Sequence, residues 1–186
     1  MKNSKVHRMA GIAILSAIVV VLQLLGSFIK FGPVSVSLVL IPIAVGAAMY
    51  GPKAGAVLGA VFSIVVLLQP DTAFFYGVSF FGTVITVLAK GTLAGWLSGL
   101  VFQTLRSRNE WLAVGAAAAV CPLVNTGLFA LGSRLFFWDA LAEMGGGNAL
   151  VFLLTVMIGF NFLAEFATNV VCSPVILRIL HAVRRH

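Results

Sequence analysis

Long uninterrupted runs of apolar residues limit what this chain can fold into more than any other feature. Residues 12–25 and 112–120 contain no charged side chain. A helix needs roughly 20 apolar residues to cross the ~30 Å hydrocarbon core of a bilayer, whereas the strands of a membrane barrel need short segments of alternating polarity. The runs therefore predict an all-α integral membrane protein, a compact bundle of about six transmembrane helices.

The composition supports a membrane-embedded chain and argues against a water-soluble one. Hydrophobic residues make up 61% of the 186 residues and charged residues only 9%, against about 25% in a typical soluble domain. Such a chain cannot cover a water-facing surface. Its length predicts a single transmembrane domain over residues 1–186. The two cysteines, Cys121 and Cys172, lie inside apolar segments, so we expect reduced thiols in the core.

Turn residues and polar connections divide the chain into the predicted helices. Gly51-Pro52-Lys53 predicts a tight turn, and longer loops are expected over 69–77 and 138–148, the second containing Gly145-Gly146-Gly147. The predicted spans cover residues 9–29, 34–50, 54–68, 78–105, 111–137 and 149–180.

Lysine and arginine collect in alternate connections, which predicts the orientation of the bundle. If the N-terminus lies inside, only Lys30 falls on the outer side, together with Asp71, Asp139 and Glu143. The basic residues that then fall on the inner side are Lys2, Lys5, Arg8, Lys53, Arg106, Arg108, Arg178, Arg184 and Arg185. This alternation predicts an N-in, C-in topology with an even number of spans.

Glycines spaced by four residues predict close helix packing on two spans. Gly55 and Gly59 lie on the third span, and Gly91, Gly95 and Gly99 lie on the fourth. In lipid, helices associate where small residues let their backbones approach. We interpret these ridges as ordinary tight packing within the bundle.

Two predicted spans carry polar residues at helical spacing within the membrane. The fourth span carries Ser79, Thr83, Thr86 and Lys90. The sixth span carries Asn161, Glu165 and Asn169. Ionisable groups at membrane depth are costly and usually functional, and they face the bundle interior. We therefore predict a substrate-binding pocket between these stripes, open to the outer side and joined by Asn125 and Thr126 from the fifth span.

Lys90 and Glu165 also have a purely structural interpretation. As a buried ion pair they would relieve each other's desolvation and hold two helices together. The sequence leaves both roles open, and the ion pair does not exclude a pocket above it.

The outer boundary adds three further candidates for substrate binding. Arg134 lies nine residues after Asn125, about 180° around an ideal helix, so it either extends its charge to the interface or meets an anionic ligand at the pocket mouth. Tyr76 and Trp138 lie in the two long outer loops. They are either interface anchors or parts of a lid over a small ligand.

No combination of residues in the sequence points to an enzyme or to a metal site. His7, His181 and His186 all lie near the termini, so none can serve an acid–base pair inside the bundle. Phosphate-cradling and nucleophile motifs are also missing from the sequence. The chain is short for a stand-alone secondary transporter, which usually has paired repeats. A substrate-binding bundle of this kind implies a partner that supplies energy.

Several segments resemble the S components of energy-coupling factor (ECF) vitamin transporters. Ala13-Ile14-Leu15-Ser16-Ala17 is similar to the motif by which that family docks on its coupling subunit, so Ala13 and Ala17 are the implied docking residues. Residues 41–46 (IPIAVG) and 50–59 (YGPKAGAVLG) are similar to the family's second and third helices. The resemblance implies a multi-pass protein of a prokaryotic plasma membrane, assembled with a transmembrane coupling subunit and two cytoplasmic ATPases. ATP would be used by those partners, and this chain would hold no cofactor.

The fifth and sixth spans resemble pantothenate-type members of that family most closely. The resemblance rests on Asn125-Thr126-Gly127 and on Asn161-Phe162 followed by Glu165 and Asn169. It implies that pantothenate is captured from the outer face. S components for biotin, riboflavin or folate are alternatives within the family, and a non-transporting membrane scaffold or morphogenesis protein is an alternative outside it.

Overall fold

The computed structural model describes residues 2–26, 30–31, 34–35 and 38–184, and nearly all of them are helical. In chain order the elements are α1 (Lys2–Gly26), β1 (Lys30–Phe31), β2 (Val34–Ser35), α2 (Leu40–Tyr50), α3 (Pro52–Leu67), a 3₁₀ turn (Pro70–Thr72), α4 (Ala73–Val78), α5 (Phe80–Leu105), α6 (Glu110–Phe136), α7 (Trp138–Met144), α8 (Ala149–Phe152), a π-helical segment (Leu153–Gly159), α9 (Phe160–Val171) and α10 (Ser173–Arg184).

The connection between the first two predicted spans differs from the prediction. Helix α1 ends at Gly26, and residues 27–29 lie outside the described part of the chain. A two-residue antiparallel hairpin pairs Lys30 with Ser35, and helix α2 begins only at Leu40. The alternation of β-branched and small polar residues from Val34 predicts an irregular entry to the second span, and Val34 and Ser35 indeed lie in the hairpin, with the helix starting later than the approximate boundary.

The two predicted outer loops are largely helical. Helix α4 follows α3 at a bend of 77° across the 3₁₀ turn, and α7 occupies the first part of the second loop. The hydroxyl of Thr72 donates to the carbonyl of Val66 (2.6 Å), and the hydroxyl of Tyr76 donates to that of Leu67 (2.9 Å). These bonds satisfy carbonyls that the end of α3 would leave without partners, which fixes α4 against α3.

The sixth predicted span is helical throughout its first part but bends before its end. It begins as α8, continues through the π-helical segment and becomes a regular α-helix again in α9, with no residue between these elements. A bend of 42° separates α9 from α10. Pro174 lies just after this bend, and its ring nitrogen has no N–H to continue the hydrogen bonding of α9. The predicted single span therefore differs from the structure at this bend.

The predicted glycine ridges are confirmed as a close contact between α3 and α5. A Cβ atom at Gly55 would overlap the backbone carbonyl of Gly95, and one at Gly59 would overlap that of Gly91. A Cβ at Gly99 would lie 2.6 Å from the Cα of Pro52. The contact runs antiparallel along both helices, with backbone packed against backbone as small residues permit.

The two ends of the bundle have different side chains. At one end, Arg8 donates to the carbonyl of Tyr50 (2.8 Å), and His181 meets Glu110 (3.0 Å). The connections here carry Lys53, Arg106 and Arg108, so we call it the basic end. Phe75, Phe129 and Phe137 lie together at the other end, which we call the aromatic end.

The bundle half next to the basic end contains an apolar core. Phe102 of α5, Val114 of α6 and Leu177 of α10 are buried in one cluster with alanines of α2 and α6. A buried hydroxyl here is bonded to a neighbouring helix, since Ser98 donates to the carbonyl of Ala117 of α6 (2.9 Å). Nearer the aromatic end, Ser63 of α3 donates to the carbonyl of Val87 (2.7 Å). These bonds join α5 to both of its neighbours.

Three helices are long and apolar enough to cross a membrane, namely Lys5–Gly26, Phe80–Leu105 and Glu110–Phe136. The number rises to five if the bent pairs α3–α4 and α9–α10 each count as one span. Helix α2 is apolar but shorter. The all-helical membrane fold is confirmed, while the count of six spans and the N-in, C-in orientation stay predictions.

Candidate functional site

Five buried polar side chains and one half-buried lysine, from three helices, lie between the apolar core and the aromatic end. We call this group the polar layer, and its members are Thr86 and Lys90 of α5, Asn125 and Ser133 of α6, and Glu165 and Asn169 of α9. Five of the six belong to the binding residues predicted from the sequence. The sixth, Ser133, does not.

Contacts across the helices join the members of the polar layer. A Cβ atom at Gly132 would overlap the side chain of Thr86, so α5 and α6 are in close contact beside Ser133. One turn further along α5, Lys90 interacts electrostatically with Glu165 of α9. The amide of Asn169 donates to the backbone carbonyl of Glu165 (2.9 Å). The stripes predicted on the fourth and sixth spans therefore come near each other at Lys90 and Glu165.

Aromatic rings surround the cation of the polar layer. The Nζ atom of Lys90 lies 5.1 Å from the ring centre of Phe129 and 5.9 Å from that of Phe62. Both distances are within the range of a cation–π interaction. Glu165, which is 3% exposed, supplies the opposite charge. Lys90 and Glu165 are near enough to interact electrostatically, and both the ion pair and the role in ligand binding stay predictions.

Four buried polar atoms of the polar layer have no hydrogen-bond partner within the described part of the chain. They are Thr86 Oγ1, Asn125 Oδ1, Ser133 Oγ and Asn169 Oδ1. Buried polar atoms are nearly always bonded, and leaving one without a partner costs about 1–3 kcal/mol. A group of four in one region therefore indicates a place where another molecule supplies the missing bonds.

The orientation of the Asn169 amide follows from its one bond. Its nitrogen donates to the carbonyl of Glu165, and an amide oxygen placed there could not accept from a carbonyl. The nitrogen is thus fixed on that side, and the Oδ1 acceptor faces away from it. The atom without a partner is an acceptor that needs a donor.

Two predicted binding residues use their hydroxyls within the fold. Thr83 donates to the carbonyl of Ser79 (2.7 Å), where Ser79 also caps the start of α5. Tyr76 donates to Leu67 and stacks on Phe80, with ring centres 5.5 Å apart. Each of these bonds holds its side chain in one position.

The other predicted binding residues lie at the edge of the polar layer or outside what is described. Thr126 is partly exposed beside Asn125. Arg134 is exposed, and its guanidinium lies 4.6 Å from the ring centre of Trp138. Arg134 and the buried Asn125 therefore do not share a face of α6, as the nine-residue spacing predicts. The side chain of Asn161 lies outside the described residues.

The aromatic end is in direct contact with the polar layer through Phe129. Its ring, which contacts Lys90, also packs edge-on against Phe75 of α4 (5.9 Å). Phe75 in turn contacts Phe137 (5.0 Å). Helix α4 thus places an aromatic side chain over the layer, on the side that the topology predicts to face outward.

The sequence interpretation missed Ser133, Phe62 and Phe129. Ser133 and Phe129 had a detectable signal, because they follow Asn125 by eight and four residues and so recur at roughly one-turn intervals. The neighbouring Arg134 drew attention to the opposite face instead. Phe62 carries no such signal, since one more phenylalanine in an apolar helix does not indicate a contact with Lys90.

The predicted docking residues lie on the outer surface of α1. Ala13 and Ala17 are both exposed, and so are their neighbours Ile14 and Ile18. An exposed apolar face is expected in a helix that faces lipid or another membrane helix. Within the described residues, no group of three or more His, Cys, Asp or Glu side chains could hold a metal ion.

Long apolar helices, exposed apolar side chains and a buried polar layer define the chain as a multi-pass membrane protein. Residues 7–177 match the family described as "ECF transporter, substrate-specific component". The match covers most of the 186 residues, so the chain belongs to this family and is a substrate-binding membrane subunit. The family implies a small-molecule substrate, together with a transmembrane coupling subunit and ATPases as partners. No curated protein and no solved structure matches the chain.

Proposed function

We propose that this protein captures a vitamin-like small molecule from the outer face of a prokaryotic plasma membrane, for an importer driven by ATP. The observation that carries the proposal is the group of four buried polar atoms without partners on α5, α6 and α9. In a substrate-binding subunit, such atoms are the natural contacts for a polar ligand. The chain acts here as one domain, residues 1–186.

The proposed topology has six crossings, with both termini inside. It is supported by the gathering of Lys53, Arg106 and Arg108 at the basic end, where Arg8 and His181 also lie. Positive charge marks the inner side of a membrane protein. The polar layer then lies nearer the outer side, with the aromatic end above it.

Pantothenate is the ligand we favour. Its two hydroxyls and its amide N–H are hydrogen-bond donors of the kind that the oxygens of Asn125 and Asn169 need. Lys90 and Arg134 are the two candidate partners for its carboxylate, and Arg134 is favoured because Lys90 already lies near the carboxylate of Glu165. The remaining proposed contacts are Thr83, Thr86, Thr126, Asn161 and Glu165, with Tyr76 and Trp138 on the outer side.

A vitamin panel tests this function on the purified protein. A ligand present at 100 times its Kd stabilises the folded state by about 2.7 kcal/mol, which a thermal unfolding assay detects. We expect pantothenate to raise the unfolding temperature, with biotin, riboflavin and folate as comparisons. If one of those vitamins stabilises the protein and pantothenate does not, that vitamin replaces pantothenate as the proposed substrate. A flat response to all vitamins would contradict the proposal and favour the scaffold alternative.

The coupling subunit docks, in this proposal, on the exposed face of α1 that contains Ala13 and Ala17. ATP is hydrolysed by the two cytoplasmic partners. Ala13→Trp adds bulk where two helices must approach, so it should abolish vitamin uptake in cells and leave the ligand affinity of the isolated subunit unchanged.

A matched control separates docking from general damage. Leu131→Trp places the same bulk on an exposed position of α6, away from the proposed docking face, and should leave uptake intact. Normal uptake in the Ala13→Trp variant would contradict the docking role.

A further inference from the structure

We infer that the ligand is uncharged where it meets the polar layer and binds there mainly by donating hydrogen bonds. This inference rests on the proposed function, because it takes the polar layer as the substrate site. It adds the chemical class of the buried part of the substrate, which neither the family nor the sequence resemblance specifies.

The charges of the polar layer are already balanced without a ligand. Lys90 and Glu165 interact with each other and bring one positive and one negative charge to the layer. Two aromatic rings cover the ammonium of Lys90. A ligand carboxylate placed beside Lys90 would bring a second negative charge close to Glu165. Because burying a charge without a counter-charge is strongly unfavourable, the layer selects against an anionic group.

Arg134 does not remove this obstacle. Its guanidinium lies over Trp138 and its side chain is exposed, on the face of α6 away from Asn125. A ligand carboxylate that reached Arg134 would lie at the surface of the bundle. An acidic ligand would therefore keep its carboxylate outside the layer and place its uncharged end inside.

The polar layer also contains hydrogen-bonding atoms that have no partner among the described residues. The amide oxygens of Asn125 and Asn169 only accept hydrogen bonds, while the hydroxyls of Thr86 and Ser133 can donate or accept. The Asn169 acceptor is fixed by the bond of its own amide nitrogen and requires a donor from the ligand. The side-chain amide of Asn125 can turn its oxygen to a second donor. Hydroxyl, amide and ureido groups supply such donors without charge, whereas a carboxylate supplies none.

The charges of the polar layer and its hydrogen-bonding atoms favour the same kind of ligand, an uncharged group that donates hydrogen bonds. Applied to pantothenate, they orient the molecule with its hydroxyl and amide end in the polar layer and its carboxylate toward the aromatic end. The carboxylate should then contribute little to affinity.

Pairs of ligands that differ only in the charged group test the inference. The full-length protein in lipid nanodiscs is titrated calorimetrically with pantothenate and its alcohol analogue pantothenol, and with biotin and its primary amide. For whichever of the two vitamins binds, we expect the Kd of the uncharged analogue to be within about threefold of the Kd of the acid, or lower than it. An acid that binds more than about tenfold tighter, a difference of 1.4 kcal/mol, would overturn the inference and leave the proposed function intact. Absence of binding by every compound would overturn the proposed function as well.

A charge variant provides a second, opposite test. In Glu165→Gln the ammonium of Lys90 loses its counter-charge, so the ratio of acid to alcohol affinity should rise by about tenfold. Lys90→Met combined with Glu165→Gln removes both charges, so the ratio of acid to alcohol affinity should stay below that of Glu165→Gln. An unchanged ratio in Glu165→Gln, or an equally raised ratio in the double variant, would contradict the inference. If either variant fails to fold, the ligand pairs on the unmodified protein decide the question.

Discussion

Two buried serines, Ser98 and Ser133, show how the two halves of this bundle differ. Both side chains are 0% exposed. The hydroxyl of Ser98, in the half next to the basic end, donates to the carbonyl of Ala117 on the neighbouring helix. The hydroxyl of Ser133, in the half next to the aromatic end, has no partner among the described residues. The same residue is used to hold helices together in one half and is left available in the other.

The difference extends beyond the serines. In the half next to the basic end, glycines bring α3 and α5 into backbone contact and apolar side chains fill the core. The other half contains the interacting charges of Lys90 and Glu165 and four buried polar atoms that have no partner in the described part of the chain. Natural proteins accept local instability where function requires it. The half next to the basic end therefore raises the free energy of unfolding, and the polar layer lowers it.

The largest expected effect concerns the charge pair. Lys90→Met removes the cation that Glu165 faces, and breaking one side of a buried pair costs about 3–5 kcal/mol. The double variant Lys90→Met/Glu165→Gln should recover most of this loss, because no buried charge remains. The free energy of unfolding in detergent, measured for the four proteins of the double-mutant cycle, gives the coupling. Equal losses in the single and double variants would contradict an ion pair.

A smaller loss is expected at the glycine contact. Gly95→Ala places a Cβ against the backbone carbonyl of Gly55, which cannot move aside without separating α3 from α5. Overpacking of this kind costs about 1–3 kcal/mol. Thermal unfolding in detergent measures it.

Gly115→Ala is the control for the glycine contact, because a Cβ there meets nothing within 4 Å. It should be neutral or stabilise the helix by up to about 1 kcal/mol. If both glycine variants unfold at the same temperature, α3 and α5 are not in the contact described.

The smallest expected effect separates the two serines directly. Ser98→Ala loses a buried hydrogen bond and should cost about 1 kcal/mol of stability without changing ligand affinity. Ser133→Ala loses no bond in the ligand-free protein, so its stability should be unchanged or higher, while ligand affinity should fall by about 2- to 10-fold. Unfolding and calorimetry on both variants measure the four values. A fall in affinity for Ser98→Ala and none for Ser133→Ala would reverse the assignment of the two halves.

Much of the candidate site could be predicted because helical spacing alone aligns its residues. Thr86 and Lys90 lie one turn apart on one helix, and so do Glu165 and Asn169, so each pair shares a face whatever the helix packs against. The alternation of basic connections likewise needs no tertiary information. Contacts that depend on the neighbouring helix, such as Phe62 and Phe129 around Lys90, left no trace in the spacing.

The connections at the aromatic end show where prediction from the sequence failed. Gln69-Pro70-Asp71-Thr72 has the composition of a loop, yet α4 follows directly because Thr72 and Tyr76 bond to the last carbonyls of α3. The change from α-helical to π-helical hydrogen bonding within the sixth span was also not predicted. Its residues, Leu153–Gly159, are as apolar as any other span, so composition does not reveal the altered hydrogen bonding.

The sequence by itself determined that this chain lies in a membrane, that its helices are apolar, and that polar stripes occur on two of them, because burial of apolar residues and helical periodicity are local properties. Only the tertiary structure decided which polar atoms are already bonded and which remain available. That distinction depends on the partner that a neighbouring helix supplies. The hydroxyl of Ser98 donates to the carbonyl of Ala117 across the α5–α6 contact, whereas the hydroxyl of Ser133 of α6 has no partner among the residues that the structure describes.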